Sequence, residues 1–308
     1  MIESFPTPDP EPTRDSVYDD ANRAAVWGLS VNVGLVGIKV LGGILTGSAA
    51  LLADGVNSIG DVASALAVRA ALHIARQDED EDHPYGHTKA ESIAGLSVAV
   101  AIVLSAAFLA LENSILLTRP LSIVTPFAGF VALISAIIKE VTFHYVNRVA
   151  NRLRSASLLA SALDHRSDAI GSFVVAIALL CSPLFGDYSI YVDPIAAIAV
   201  CLYLIVVGSK ALVTVSRELM DQQADPALIA RVRSIAGAVP CVANVEKVRV
   251  RKSGLEYFAE VHVQVEGHLT VNEGHRIGHR VKDELMSAIP RLRDVHIHIE
   301  PDEPSRDD

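Results

Sequence analysis

Residues 157–184 read SLLASALDHRSDAIGSFVVAIALLCSPL, and residues 49–74 read AALLADGVNSIGDVASALAVRAALHI. Each stretch is long enough to cross a bilayer, for which about 20 apolar residues suffice, yet each carries acids in its interior. Asp54, Asn57 and Asp61 follow at spacings of three and four, and Asp164 and Asp168 are four apart. Such spacings put each set on one face of a helix. The surrounding residues are rich in Ala and Ser, small enough for helices to approach closely. An ionised side chain at mid-bilayer costs about 2.5–3.5 kcal/mol, so Asp61, Asp164 and Asp168 left bare would together cost roughly 8–10 kcal/mol. Protonation or a bound cation removes that penalty, and a divalent cation held between two helices is the economical reading. Asp54 also admits a helix-capping role.

Composition places these stretches in a membrane protein. Of 308 residues 51% are hydrophobic and 20% charged, and the mean hydropathy is +0.36. Six stretches of spanning length recur, at 24–46, 49–74, 92–117, 123–145, 157–184 and 195–215. Residues 1–22, rich in Pro, Asp and Glu, read as a disordered tail. Arg76, Lys89, Arg148, Arg152, Arg154 and Arg217 fall on the second and fourth connections or after the last span, whereas the opposite connections offer Arg119 and little else. The positive-inside rule then puts both termini in the cytoplasm. A net charge of −10 argues against a nucleic-acid partner. The three cysteines are scattered, so no disulfide framework is implied.

Other charges lie within the spans. Lys39 could pair with one of the acids or snorkel. Arg166 lies two residues from both Asp164 and Asp168 and so faces nearly the other way, with Glu112 and Glu140 as candidate counter-ions.

After Arg217 the composition becomes that of a soluble domain. A helix is expected at 226–238, a strand at 245–251, a turn at Lys252-Ser253-Gly254, a strand at 257–266, a helix at 271–288 and a strand at 294–300. The α-β-β-α-β order suggests an α+β sandwich with helices on one face of the sheet. Alternation sets His262 opposite Val261, Val263 and Val265, and sets His296, His298 and Glu300 opposite Val295, Ile297 and Ile299. His275 and His279 are four apart on the intervening helix. The fold expected is a mostly α membrane protein: a tail at 1–22, six transmembrane helices over 23–216, an α+β domain over 217–301 and an acidic tail at 302–308.

The chain resembles the cation diffusion facilitators. The likeness rests on Asn32, Lys39, Thr46-Gly47-Ser48, Ala53-Asp54-Gly55-Val56-Asn57-Ser58 and Asp61. It continues through His83-Pro84-Tyr85-Gly86-His87-Thr88-Lys89-Ala90-Glu91 and Asp164-His165-Arg166-Ser167-Asp168, and it spans the chain after the tail. The resemblance implies a homodimer that exports divalent transition metals, usually against protons, with a ferredoxin-like or metallochaperone-like cytoplasmic domain mediating dimerisation. Its transport site would fall on Asn57, Asp61, Asp164 and Asp168. Zinc-transporting members supply a His at one or both of the positions held here by Asn57 and Asp164. His165 is one residue out of phase, about 100° around the helix.

An all-oxygen set suits harder ions, Mn²⁺ in particular, where imidazole favours Zn²⁺; Zn²⁺, Fe²⁺ and Co²⁺ are the alternatives. Asn57 cannot titrate, so exchanged protons would ride on the three acids. The resemblance also implies a loop site at Asp80, His83 and His87 and a cytoplasmic site at His262, His275, His298 and Glu300, with Glu246 standing where zinc members have His. Solvated polar residues are the plain alternative for both. No cofactor beyond the transported metal is expected. Lipid, metal and protons are the expected partners, and the bacterial inner membrane the expected location. A metalloprotease is disfavoured because no His-Glu-x-x-His sequence occurs, and a non-transporting metal-binding scaffold would gain nothing from buried acids.

Overall fold

The computed structural model describes residues 13–46, 49–118, 126–181 and 189–302. Its elements run α1 (Arg14–Thr46), α2 (Ala49–Ala75), α3 (Lys89–Leu116), α4 (Pro126–Leu153), α5 (Ala156–Cys181), α6 (Ser189–Leu219), α7 (Pro226–Gly237), β1 (Asn244–Ser253), β2 (Glu256–Val265), α8 (Val271–Ala288) and β3 (Leu292–Pro301). The chain divides into two compact units, Asp19–Arg217 and a second made of Met1–Tyr18 with Glu218–Asp308.

The helical unit has an inverted surface. Large apolar side chains such as Leu41, Leu104, Phe108 and Leu111 are exposed, whereas Asn32, Lys39, Ser58, Ser135, Lys139 and His165 are buried. That is the arrangement a lipid solvent selects. Among the described residues, four stretches are long and apolar enough to cross a membrane: Arg14–Gly42, Ser58–Ala75, Lys89–Glu112 and Gly129–Leu153. The helices α5 and α6 run for 26 and 31 residues. α4 extends to Leu153, past the expected end at 145, because apolar composition marks only the part of a helix that meets hydrocarbon.

The tail expectation needs correction. Residues 1–12 lie outside the described residues, but residues 14–22 are helical and belong to α1. Val17, Tyr18 and Ala21 are buried, and the acids that read as disorder-promoting have partners. Asp19 pairs with Arg76 at 2.8 Å and Asp20 with Arg152 at 2.6 Å. Of the acidic tail, 303–308 fall outside the described residues.

α5 packs against α4, α3 and α2. The α4–α5 turn is tight: Arg154 takes φ 55° and Ser155 N–H donates to Ala150 O at 3.0 Å. Buried Glu91 holds the start of α5, its Oε1 accepting from Ser155 Oγ at 2.5 Å, Ser157 N at 2.8 Å and Ser157 Oγ at 2.9 Å. A carboxylate there satisfies donors that a helix N-terminus leaves free. One turn on, Gly95 lets the helices touch, since a Cβ on it would lie 2.9 Å from Ala156 C and Ser157 N.

In the other unit, β1 and β2 pair antiparallel and β2 and β3 parallel, in the order β1-β2-β3. Val232 and Ala236 of α7 and Ile277, Val281 and Leu285 of α8 pack with Val248, Val250, Val261, Val263 and Val295 in one core. Both helices therefore cover a single face, and the other stays open. Asp225 caps α7, and Thr270 with Glu273 forms a capping box on α8.

Candidate metal sites

Three acids from two helices meet in the helical unit. One carboxylate oxygen each from Asp61 (α2), Asp164 and Asp168 (α5) lies within 4.8 Å of the others. A six-coordinate divalent ion with oxygen ligands at about 2.0–2.6 Å needs those oxygens roughly 3–5 Å apart, so small shifts suffice to close on one. The face predicted by the four-residue spacing is the face that converges. Asn57 sits one turn before Asp61 in α2; its side chain, like that of Asp54, lies outside the described residues. Asn32 of α1 donates from Nδ2 to the Asp61 carbonyl at 3.2 Å, tying α1 to the turn that presents Asp61.

The residue that sequence reasoning missed is Lys139. Its side chain is 1% exposed, and Nζ donates to Asp61 Oδ2 at 2.9 Å and to Asp168 Oδ2 at 2.6 Å. A usable signal existed. Across the tight turn at Arg154, Lys139 lies 15 residues before and Asp168 lies 14 after, so an antiparallel hairpin of α4 and α5 brings them level. Three carboxylates against one ammonium leave at most two uncompensated negative charges, matching one divalent cation.

The other membrane charges find separate places. Lys39 donates to Ser58 Oγ at 3.1 Å. Arg166 stacks over Phe143 at 4.5 Å and borders a small cavity with Ile102, Leu163, Tyr203 and Leu204. Glu140 pairs with His144 at 3.1 Å. His165 is buried, and both ring nitrogens lack a hydrogen-bond partner among the described residues. It packs against α1, where a Cβ on Gly28 would stand 2.8 Å from Nε2, and it takes no part in the acid cluster.

Two further clusters lie outside the spans. In the α2–α3 connection, ligand atoms of Asp80, His83 and His87 lie within 4.8 Å. Gly86, at φ 77°, lets the loop turn back. Asp80 Oδ1 accepts from His83 N at 2.6 Å and lies 3.0 Å from His83 Nδ1, and Oδ2 is 3.4 Å from His87 Nε2. Desolvation raises the Asp80 carboxyl but is outweighed: the His83 backbone and ring, with the charges of His83 and His87, hold it below the usual carboxylate range.

On the open face of the sheet, His262, His298 and Glu300 form the third cluster. His262 and His298 are register partners on β2 and β3 with rings 4.9 Å apart. His262 Nδ1 lies 2.7 Å from Glu300 Oε1 and Nε2 lies 3.1 Å from Glu260 Oε1. Hydrogen bonds to Glu260 and Glu300 raise the imidazole, and hydrogen bonds from Glu246 and His262 lower Glu300. Glu246 itself is raised by sharing a hydrogen bond with Glu300. It reaches this face at a register shift between Val245 and Lys247.

Of the four residues expected at this site, three come together within the chain. His275 stands apart, edge-on to His279 at 4.5 Å. The reason is that α8 covers the opposite face, where Gly274 and Gly278 meet Ile299.

The profile for the cation efflux transmembrane domain matches residues 25–220, and that for the cation efflux protein cytoplasmic domain matches 224–302. The chain belongs to the cation diffusion facilitator family. This facilitator is 29% identical over 286 residues to the manganese efflux system protein MneP of Bacillus subtilis, covering 91% of this chain and 96% of that one. It is 30% identical over 287 residues to the uncharacterized transporter YdbO of the same organism, with 91% and 96% covered. It is also 30% identical over 283 residues to the magnetosome protein MamM of Magnetospirillum gryphiswaldense, with 91% and 88% covered. A facilitator of this family is an integral membrane protein that moves divalent metal cations out of the cytoplasm, not an enzyme.

Proposed function

We propose that this facilitator exports Mn²⁺ in preference to other divalent transition metals, in exchange for protons, through a site made by Asn57, Asp61, Asp164 and Asp168. The observation that carries the reading is the convergence of three carboxylates from α2 and α5, within 4.8 Å, in membrane-spanning helices. An all-oxygen donor set suits Mn²⁺, and His165, the imidazole adjacent in sequence, turns to α1 instead. The name of the relative MneP, a manganese efflux system protein, agrees. Protons compete with metal for the same three acids, since the amide of Asn57 cannot titrate.

The chain works as a homodimer in the bacterial inner membrane, joined through a cytoplasmic domain at 217–301, with the transmembrane domain at 23–216 and both termini in the cytoplasm. Asp80, His83 and His87 form an accessory loop site. His262, His298 and Glu300, with Glu246 and Glu260 beside them, form a cytoplasmic one.

Flux into proteoliposomes tests the proposal, with Mn²⁺, Zn²⁺, Fe²⁺ and Co²⁺ compared under an imposed proton gradient. Asp168→Asn should abolish transport, and Asn57→His should shift preference toward Zn²⁺. Undiminished, pH-dependent flux through Asp168→Asn would remove the transport site from these residues. Wild-type preference for Zn²⁺, Fe²⁺ or Co²⁺ would reassign the metal.

A further inference from the structure

We propose that Lys139 is an intramolecular counter-cation: its ammonium holds Asp61 and Asp168 in the metal-free protein and must be displaced for a divalent ion to bind. The proposal rests on the transport site assigned above.

Three features support it. Nζ stands 2.6 and 2.9 Å from one oxygen of each acid, so an ion coordinated by those oxygens would overlap the ammonium. Lys139 alone of these residues comes from α4, so its contacts bridge α2 and α5 from a third helix. Finally, buried acceptors lie where a displaced ammonium can go. Ser135 Oγ and Asn32 Oδ1 are both buried without a hydrogen-bond partner among the described residues. Ser135 is four residues before Lys139 on the same helix face, about 6 Å along the axis, and helical side chains lean toward the preceding turn. Asn32 already binds the Asp61 carbonyl through Nδ2, which keeps Oδ1 beside the cluster.

A lysine in this place acts as a cation the protein cannot lose. Metal entry exchanges one cation for another, and metal departure lets the ammonium return, so the acids are never left bare in hydrocarbon. The tether also sets affinity, because every incoming ion competes with a group at fixed, high local concentration. A purely structural lysine predicts the opposite, since its loss would disorder the acids and weaken metal binding.

The test is the Mn²⁺ concentration that half-saturates flux in proteoliposomes of the full chain. Replacing the ammonium and its two charge-assisted hydrogen bonds by a neutral amide should lower it about tenfold in Lys139→Gln, with slower turnover from retarded release. Lys139→Arg keeps the charge and adds donors, so its half-saturating concentration should match or exceed that of the wild type. An unchanged or raised value in Lys139→Gln, or a lowered one in Lys139→Arg, overturns the proposal. If Lys139→Gln does not transport, equilibrium Mn²⁺ binding in detergent, taken as the component that Asp164→Asn abolishes, is judged by the same criterion. Asp164→Asn separates the two failures. Wild-type flux in that variant sinks the transport site itself, whereas loss of flux with an unshifted Lys139→Gln sinks only the counter-cation.

Discussion

His262 shows how a side chain on an open sheet face is held between two carboxylates. Its two ring nitrogens face Glu260 and Glu300, and those hydrogen bonds hold the imidazole above its ordinary value. The sign follows from linkage. A raised folded-state pKa means that this pairing stabilises the fold fully below the unfolded imidazole value of about 6.5 and ceases to do so as pH rises through the folded value. Glu260→Gln removes the larger of the two contributions, so an NMR titration of the metal-free protein should find His262 moved down toward the ordinary value. An unmoved titration would show that Glu260 does not set it. The alternation of β2 and β3 put His262, His298 and Glu300 on the polar faces of their strands in advance, and the family resemblance grouped them. The place of Glu246 was implied by the resemblance alone, because it depends on a register shift that no periodicity records.

At the scale of elements, the contact between α3 and α5 decides whether Asp164 and Asp168 sit at the right height. Gly95 and Glu91 make that contact, the glycine by yielding space to the backbone of Ala156 and Ser157 and the acid by capping α5. In Gly95→Ala the new Cβ meets backbone atoms that cannot rotate away, so the helix-propensity gain of about 1 kcal/mol is outweighed by about 1–3 kcal/mol of overpacking. Gly34→Ala is the control, because nothing lies within 4 Å of its added Cβ. Thermal unfolding in detergent should rank Gly95→Ala below wild type and Gly34→Ala at or above it. Equal midpoints would show that α3 and α5 tolerate separation. The helices were legible from apolar length alone. Their pairing was not, since hydropathy is blind to which small residue faces a neighbour and which faces lipid.

At the scale of the whole molecule, the first residues of α1 belong with the α+β unit. Arg14 Nε donates to Glu256 Oε1 at 2.6 Å, and Glu256 is 1% exposed at the start of β2, with Arg293 Nε 3.8 Å from Oε2. Glu256→Gln keeps the shape and removes the charge, at a cost of about 1–3 kcal/mol. Hydrogen exchange of the amides following Arg14 should quicken in that variant, and unchanged protection would place the anchor in the packing of Val17 and Tyr18 instead. Composition had marked these residues as tail, because an exposed acidic helix face and a disordered acidic segment look alike until Arg76 and Arg152 are seen beside Asp19 and Asp20. What the chain alone determined was the run of long apolar helices, the α-β-β-α-β order and the common face of Asp164 and Asp168. Those are properties of local periodicity and of the free energy of leaving water. Tertiary structure alone decided that Lys139 lies between Asp61 and Asp168, that His165 turns to α1 and that His275 stands apart from His262. Such facts depend on how helices pack and which sheet face is covered, and apart from the matched spacing of Lys139 and Asp168 about the α4–α5 turn, residues far apart in sequence carry no mark of either.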